Sequence, residues 1–372
     1  MADTMTAAVW SGNGPRLELT EITVPEPKAG EALVRLTSCG VCHTDYHVMK
    51  GEVAFPSPAV LGHEISGRVA RLGPDTTAPG LTDDTKVVGA FIMPCGNCVQ
   101  CERGRDDMCV NFFAQNRLNG TLYDGSSRLR AADGSSIAMY SMAGMAEYAV
   151  VPVTALAPLP DSIPEVPAAI LGCAIFTAYG ALRHSADLQP GQTVAVVAIG
   201  GVGSSIVQLA RAMGAGTIIA IDVSDEKLAK AKQLGADEVI NSRSTDPVAA
   251  VRALTGGNGV DVAFEALGLP QTFEQASKML IDGGVMVAVG IAAGAATANV
   301  EITPLVRRGY HLMGSFGART RVDLPAVVDL AASGKINITD AVSREYRLDQ
   351  VNEAFAALGR GEINGRAVIR IG

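Results

Sequence analysis

Four cysteines crowd one short stretch of the chain and could bind a single metal ion. They are Cys95, Cys98, Cys101 and Cys109, in the spacing C-x2-C-x2-C-x7-C. Four thiolates complete a tetrahedral zinc shell without an open position, so the spacing predicts a structural zinc site in a lobe over about residues 95–109. Two disulfides or an iron–sulfur cluster would use the same residue type. The thiols of a cytosolic protein are kept reduced, which argues against disulfides. The fold context favours zinc over an iron–sulfur cluster.

A second possible ligand set is dispersed along the chain. It comprises Cys42 in CGVCHTDYH, His63 in LGHE and Cys173 in ILGCAIFTAYG. Two cysteines and one histidine leave the fourth zinc position vacant, as a catalytic site requires. Spacing alone does not join these residues, because a buried cysteine is a common small hydrophobe and a lone histidine is usually a hydrogen-bonded core residue.

A glycine-rich turn between an apolar strand and a helix could bind a dinucleotide. The segment AIGGVG carries Ala198 where the usual fingerprint has its first glycine, and Asp222 follows 19 residues after the last glycine, at the end of the next strand. The helix N-terminus suits a pyrophosphate, whereas Asp222 suits ribose hydroxyls and repels a 2′-phosphate. The pattern therefore predicts NAD rather than NADP, bound by Gly200, Gly201, Val202, Gly203 and Asp222.

The elements that position these residues fall into two patterns. From about residue 6 to 157, short β-rich segments are broken by Gly, Pro and Asp, which predicts a compact β-rich domain. From about residue 190, TVAVVAI, SSIVQLARAMGA and TIIAIDV form a strand–helix–strand unit whose alternation continues. This α/β pattern predicts an open parallel sheet with helices on both faces, and 372 residues suit two domains.

Composition excludes several classes of protein. The formal net charge is −8 and 38 acidic residues outnumber 30 basic ones, which argues against a nucleic-acid partner. No stretch reaches the roughly 18 apolar residues that span a bilayer, and MADTMTAAVW lacks the pattern of a signal peptide. We therefore expect a cytoplasmic protein without a membrane partner, whose seven cysteines serve metal binding or catalysis.

Taken in chain order, these motifs resemble the zinc-containing alcohol dehydrogenases of the medium-chain dehydrogenase/reductase (MDR) family. GVCHTD, LGHE, the four-cysteine lobe, ILGC, TAYGA, GGVG and GRAVIRI follow the family's order nearly end to end. LNGTLYDGSSRL resembles the liver-type, long-loop branch. The resemblance implies a GroES-like catalytic domain over 1–174, a Rossmann doubly wound domain over 175–312, and a return of 313–372 to the catalytic domain.

The resemblance also implies roles for individual residues at the catalytic zinc. Cys42, His63 and Cys173 would bind it, with Glu64 close to the metal. Asp45 would fix the imidazole of His63. The proton relay would consist of Thr44 and His47. The 21-residue step to His63 fits the family only from Cys42, so Cys39 is expected to be a packed, free thiol.

Cofactor and substrate positions follow from the same resemblance. His43 and Arg366 would face the cofactor pyrophosphate, and Lys227 would contact the adenosine ribose. The substrate pocket would be lined by Phe91, Met108, Met139 and Tyr140, a largely apolar set.

The resemblance implies an NAD-dependent homodimer or homotetramer with two zinc ions per chain. It would reversibly oxidise medium-sized apolar or aromatic alcohols. A thiol-adduct (formaldehyde-type) dehydrogenase is disfavoured because VNFFAQ, after the lobe, lacks its carboxylate-binding arginine, although Arg117 and Arg128 follow. Polyol dehydrogenases usually have Glu in place of Cys173, and zinc-independent enone reductases lack the lobe. A non-catalytic nucleotide- and zinc-binding protein would have no use for the relay residues Thr44 and His47.

Overall fold

The computed structural model describes residues 3–292 and 294–372, which form two compact units. The first unit comprises the residues up to Phe176 together with Arg319–Gly372, and the second comprises Thr177–Ala318. The sequence placed the second boundary at 312/313. The structure places it six residues later, because residue 313 lies inside the last strand of the second unit's sheet.

The strands of the described residues are numbered in chain order. They are β1 (Thr4–Trp10), β2 (Leu17–Thr23), β3 (Glu31–Val41), β4 (Ala59–Val60), β5 (Ile65–Leu72), β6 (Lys86–Gly89), β7 (Leu129–Arg130), β8 (Ser136–Met139), β9 (Tyr148–Pro152), β10 (Leu156–Pro158), β11 (Val194–Val197), β12 (Ile218–Asp222), β13 (Glu238–Asn241), β14 (Val260–Glu265), β15 (Leu280–Ala288), β16 (His311–Gly314), β17 (Val342–Arg347) and β18 (Arg366–Arg370).

The α-helices are numbered in the same way. They are α1 (His43–Met49), α2 (Val99–Glu102), α3 (Glu165–Ala168), α4 (Ala174–Gly180), α5 (Gly201–Ala212), α6 (Asp225–Gln233), α7 (Pro247–Leu254), α8 (Pro270–Lys278), α9 (Ile302–Arg307), α10 (Thr320–Ala332) and α11 (Val351–Gly359). Two π-helices, Phe112–Arg117 and Ala181–Ser185, and several short 3-10 turns complete the helical elements.

The first unit is built on two sheets, ordered β2-β1-β4-β8-β7 and β10-β6-β5-β3-β18-β17, with β9 also paired to β3. Strand β3 is buried along most of its length because it lies between neighbours on both edges. The C-terminal strand β18 pairs antiparallel with the C-terminal end of β3, so that Ala367 lies opposite Val41 and Ile369 opposite Cys39. The last residues of the chain are thereby brought beside the strand that leads into Cys42.

The second unit contains a parallel six-stranded sheet in the order β13-β12-β11-β14-β15-β16. Counted within the unit, this is the 3-2-1-4-5-6 order of the doubly wound dinucleotide-binding fold. The central strands VAVV and IIAID are buried throughout, as expected for strands covered on both faces. The predicted Rossmann class is confirmed.

Among the described residues, no single helix has the length and apolar character to cross a membrane. The adjoining pair Glu165–Gly172 and Ala174–Ser185 passes that test jointly, by length and composition alone.

Candidate active site and metal centres

Four donor side chains of the first unit converge on one point. The ligand atoms of Cys42, His63, Glu64 and Cys173 all lie within 4.8 Å of one another. The Cys173 Sγ atom is 3.4 Å from His63 Nε2. Tetrahedral zinc bonds to sulfur and imidazole nitrogen imply a separation of about 3.5 Å between two such donors. The geometry and the donor types therefore fit zinc.

The local backbone conformation positions the first two donors, Cys42 and His63. Cys42 follows β3 and is the N-cap of α1, and His63 comes shortly after β4. The intervening Gly62 has φ +102°, and a Cβ at this position would lie 2.8 Å from both Cys39 Sγ and the backbone nitrogen of Met145. Only glycine permits this turn, which directs the next residue, His63, towards Cys42.

Cys173 reaches the site through a close approach of two backbones. It follows the buried 3-10 helix Ala169–Gly172. A Cβ on Gly172 would lie 1.8 Å from the carbonyl oxygen of Gly89, at the end of β6. The Gly172 carbonyl in turn accepts a 3.0 Å hydrogen bond from the backbone of Phe91. Glycine at position 172 thus allows Cys173 to lie against the sheet.

Asp45 orients the imidazole of His63. Its Oδ2 atom is 3.0 Å from His63 Nδ1, and its Oδ1 accepts a 3.0 Å hydrogen bond from the Gly62 backbone. Both side chains are buried. Burial lowers the pKa of His63, but the charges of Asp45 and Cys42 outweigh it and raise that pKa well above its usual value. With Nδ1 facing the carboxylate, Nε2 is left for a metal.

The two cysteines of this group differ in acidity. A hydrogen bond from the Cys173 thiol lowers the pKa of Cys42 well below its usual value. The same contact, reinforced by burial, raises the pKa of Cys173. The site therefore stabilises a thiolate, which is the form that binds metals.

Glu64 forms a buried ion pair with Arg366, the first residue of β18. A Cβ on Gly40 would come within 2.1 Å of Glu64 Oε2, so glycine at position 40 makes room for this carboxylate. Burial raises the pKa of Glu64, although the charge of Arg366 opposes the shift. Among the residues that the structure describes, the Glu64 Oε2 atom finds no hydrogen-bond partner. The role of Arg366 at the pyrophosphate stays a prediction.

Thr44 and His47, the residues expected to form the relay, lie on α1. Thr44 Oγ1 is 3.6 Å from Cys42 Sγ. The His47 ring lies 6.2 Å from the ring of His43, and its Nδ1 contacts the carboxylate of Glu52. The His47 side chain is 43% exposed, so it can exchange protons with solvent. Glu52 was not among the residues predicted from the sequence, although it follows His47 by only five positions.

Two of the expected pocket residues flank His63. The rings of Phe91 and Tyr140 lie 6.0 and 6.3 Å from the imidazole, each edge-on. Met139 is buried beside Tyr140, and its sulfur accepts a 3.3 Å hydrogen bond from the backbone of Arg128. Met108 is 50% exposed at the end of a 3-10 turn in the cysteine lobe.

Cys39 is fully buried beneath this site. Added Cβ atoms on Gly62 and Gly144 would come within 2.8 and 2.9 Å of its sulfur. Burial raises its pKa well above the usual value, and the thiol donates to the backbone oxygen of Gly40. These are the properties of a packed, free thiol.

The four cysteines of the lobe also form one group. The Cys95–Cys101 and Cys98–Cys109 sulfur atoms are each 4.0 Å apart. A tetrahedral zinc–thiolate site implies about 3.8 Å, whereas a disulfide bond is about 2.05 Å long. Burial opposes ionisation of Cys98, but hydrogen bonds from backbone N–H groups outweigh it and lower its pKa to about 6. The lobe therefore fits a metal and not two disulfides.

The glycine-rich turn of the second unit joins β11 to α5. A Cβ on Gly203 would lie 1.9 Å from the carbonyl oxygen of Ala198, so glycine allows the helix to pack against the strand end. A Cβ on Gly200 would meet nothing within 4 Å, which leaves space for a ligand. Ala198 has φ +73°, the left-handed conformation that glycine usually adopts at this position of the fingerprint.

Asp222 ties this turn to the end of β12. Its Oδ2 accepts a 2.7 Å hydrogen bond from the Ile199 backbone, and its Oδ1 accepts from Val223 and Ser224 at 2.8 and 3.0 Å. Lys227 lies half-buried in the first turn of α6, which Ser224 caps. The structure thus brings Asp222 to the glycine turn, where a ribose is expected.

Comparisons with known proteins agree with this arrangement. A family model described as "Alcohol dehydrogenase GroES-like domain" matches residues 28–161, and one described as "Zinc-binding dehydrogenase" matches residues 201–333. Together they cover more than half of the chain.

Proteins similar over their whole length include an S-(hydroxymethyl)glutathione dehydrogenase of Synechocystis sp. It is 35% identical over 96% of this chain and 97% of its own. An alcohol dehydrogenase of Geobacillus stearothermophilus is 34% identical over 99% of both. The crystal structure of benzyl alcohol dehydrogenase from Acinetobacter calcoaceticus matches with a TM-score of 0.92 and 31% identity, over 100% of both chains. This chain belongs to the zinc-containing medium-chain alcohol dehydrogenases, enzymes that use NAD and zinc to act on the CH–OH group of small molecules.

Proposed function

We propose that this protein reversibly oxidises medium-sized apolar or aromatic alcohols to aldehydes or ketones. One observation carries the proposal: Cys42, His63 and Cys173, distant in sequence, converge within 4.8 Å with the imidazole held by Asp45. Three protein ligands leave one zinc position for a substrate oxygen. The edge-on rings of Phe91 and Tyr140 make the surroundings of His63 apolar, which suits an aromatic or branched alcohol.

The chain's own residues hold the reactants and move the proton. Zinc, when bound, supplies a Lewis acid that makes an alcohol more acidic, and NAD supplies the hydride acceptor. In our proposal, Thr44 accepts the alcohol proton through its hydroxyl and His47 passes it to solvent. Glu52 orients the His47 ring, while the aromatic residues beside His63 exclude water from the site.

We also propose a second, structural zinc ion in the lobe, held by its four cysteines. The sulfur spacing of 4.0 Å and the backbone N–H groups directed at Cys109 support it. No vacant position remains for a substrate, so this ion would stabilise the lobe and not take part in the reaction.

For the cofactor, we propose that Asp222 accepts hydrogen bonds from the adenosine ribose. Its two oxygens accept three backbone hydrogen bonds, which leaves acceptor capacity on Oδ2. A fixed negative charge here disfavours a 2′-phosphate, which supports NAD. His43, Lys227 and Arg366 are proposed to contact the remainder of the cofactor.

We propose that the active form is a cytoplasmic homodimer or homotetramer. Strand β16 is at one edge of the six-stranded sheet, and the neighbouring helix α9 has no buried residue. Ile302 and Val306 on that helix are 75% and 73% exposed. An open strand edge beside exposed aliphatic side chains is suited to pairing with a second copy.

The experiment that tests this function is a substrate panel on protein of known zinc content, read by NADH absorbance. We expect turnover of benzyl, cinnamyl and medium-chain aliphatic alcohols. Turnover of ethanol-sized substrates alone would contradict the proposed substrate class. Because the Synechocystis relative is named an S-(hydroxymethyl)glutathione dehydrogenase, the panel must also include formaldehyde together with glutathione. Activity restricted to that arm would favour the thiol-adduct alternative.

A further inference from the structure

Asn116 is a fully buried amide in the π-helix Phe112–Arg117. Its side-chain nitrogen donates 3.2 Å hydrogen bonds to the carbonyl groups of Met139 and Ser141, the residues on either side of Tyr140. Both partners are carbonyl oxygens, which can only accept, so the amide nitrogen and not its oxygen must face them. One side chain of the π-helix therefore holds the backbone on both sides of Tyr140.

Ser141 adopts a backbone conformation that is unfavourable for a residue with a side chain. Its φ of +52° lies in the left-handed region, and the residue is fully buried. Two hydrogen bonds hold it there: its carbonyl accepts from Asn116, and its hydroxyl donates to the carbonyl of Phe91 at 2.8 Å. Residues that their surroundings keep in such conformations are concentrated at functional sites. The turn that follows Tyr140 therefore depends on these two contacts.

The contact between Ser141 and Phe91 continues towards the proposed catalytic zinc site. The backbone nitrogen of Phe91 donates to the carbonyl of Gly172 at 3.0 Å, and Gly172 directly precedes Cys173. The backbone of Phe91 is therefore held from two sides, by Gly172 and by the Ser141 hydroxyl. A continuous series of hydrogen bonds thus connects the buried amide of Asn116 with the residue before a proposed zinc ligand.

The two aromatic side chains attached to this series flank His63. The ring of Phe91 lies 6.0 Å from the imidazole and that of Tyr140 lies 6.3 Å from it, both edge-on. The Tyr140 ring also packs edge-on against Phe55 at 4.8 Å. We call the rings of Phe91 and Tyr140 the pocket wall. Because such rings determine the space left for a substrate, a small displacement of either backbone would change which alcohols fit.

We propose that Asn116, acting through Ser141, is a positioning residue that fixes the pocket wall beside His63 and thereby sets the preference for aromatic alcohols. The inference rests on the proposed function and identifies what determines its specificity. A rigid aromatic alcohol needs a fixed wall to bring its hydroxyl group to the zinc position, whereas a flexible linear alcohol adapts to a displaced wall. Asn116 acts on the substrate through the wall and not by contact.

The test compares benzyl alcohol with 1-butanol on zinc-replete protein. The measured quantity is the ratio of their kcat/KM values, aromatic over linear. Asn116→Leu keeps a similar volume but donates no hydrogen bond, and it should lower the ratio about 10- to 100-fold, the effect of misplacing a substrate by about 1 Å. A variant that was merely less stable would lower kcat equally for both alcohols and leave each KM unchanged. Asn119→Leu, at an exposed position of the same segment, is the control and should keep the wild-type ratio.

Ser141→Gly covers the case in which Asn116→Leu does not fold. Glycine adopts a positive φ without strain, so the turn can form, but the hydroxyl contact with Phe91 is lost. We expect the ratio to fall several-fold while the zinc content stays that of the wild type. An unchanged ratio in either folded variant, or equal losses for both alcohols, would overturn the inference and leave the proposed function intact. Failure of the zinc-replete wild type to oxidise benzyl alcohol would contradict the proposed function, and the inference with it.

Discussion

At the scale of single residues, the contact between Asp45 and His63 determines which imidazole nitrogen is available to a metal. One carboxylate oxygen of Asp45 lies 3.0 Å from His63 Nδ1, and the other accepts a hydrogen bond from the Gly62 backbone. One side chain therefore fixes both the ring and the turn that carries it. We therefore expect zinc affinity to depend on Asp45, a residue that is not itself a predicted zinc ligand.

Asp45→Asn should weaken zinc binding at this site. The amide oxygen can still accept from Gly62, but its NH₂ group would face Nδ1 and favour the tautomer that places a proton on Nε2. We expect retention of the catalytic zinc to fall about 10- to 100-fold, measured by competition with a chelator. Glu52→Gln, on the adjacent loop, should retain zinc like the wild type. Unchanged retention in Asp45→Asn would contradict this role.

Thr44→Ala should reduce kcat by about 10²- to 10⁴-fold, because the relay would lose its first hydroxyl. Thr44→Ser keeps that hydroxyl and should retain most of the activity. Binding of NADH, followed by its fluorescence, should be similar in both variants. Because Thr44 Oγ1 lies 3.6 Å from Cys42 Sγ, zinc content must be measured alongside. If the alanine variant turned over like its parent with full zinc, the relay assignment would be wrong.

Residue types and spacing predicted the lobe from the sequence alone, since its ligands are neighbours in the chain. Joining Cys42, His63 and Cys173 required the family resemblance, because nothing local encodes their convergence. The pairing of Arg366 with Glu64 depends on the register of β18 against β3, a contact between distant segments.

At the scale of elements, the cysteine lobe is attached to the start of α10. The Arg321 guanidinium donates to Asp106 Oδ1 and to the carbonyl of Cys101, both at 2.7 Å, and its backbone donates to Asp106 Oδ2 at 2.9 Å. The Thr320 hydroxyl donates to the carbonyl of Ile92 at 2.8 Å. The C-terminal segment returns to the first unit at this point, so the lobe and α10 should stabilise each other.

Arg321→Leu should therefore loosen the lobe. Asp106 is almost completely buried, whereas Arg321 is 37% exposed, so we expect a loss of about 1–3 kcal/mol, less than for a fully buried pair. Chelators should remove the lobe zinc faster than from the wild type. Arg105→Leu is the matched control, because within the described part of the chain Arg105 forms an ion pair only with the neighbouring Asp107 of the same lobe. Equal rates of zinc release in both variants would contradict the coupling.

The elements differ in how far the sequence predicted them. TVAVVAI followed by GGVG and an apolar-periodic helix predicted the parallel sheet, because such strands are buried on both faces and the helix repeats every 3.6 residues. The first unit contains strands as short as β4 and β7, two residues each, which have no detectable period. The π-helix Phe112–Arg117 of this unit and the π-helix Ala181–Ser185 of the second unit were likewise not predicted, since they arise from packing rather than from local propensity.

At the scale of the whole molecule, the proposed oligomer depends on the open edge of the second unit's sheet. Val306→Glu would place a charge on the exposed face of α9, next to β16. We expect it to shift the protein towards monomers in size-exclusion chromatography with light scattering. Val322→Glu, at a 68% exposed position on α10, is the control and should leave the mass unchanged. A wild-type monomer would contradict the proposal.

The most direct test of the central claim is the zinc content per chain, measured together with alcohol-dependent NADH formation, for the wild type and Cys173→Ser. We expect two zinc ions in the active wild type. In the variant, we expect one ion, retained by the lobe, and turnover reduced to background. An active wild type with a single ion, or a Cys173→Ser variant that keeps its turnover, would contradict the convergence of Cys42, His63 and Cys173 on a catalytic metal.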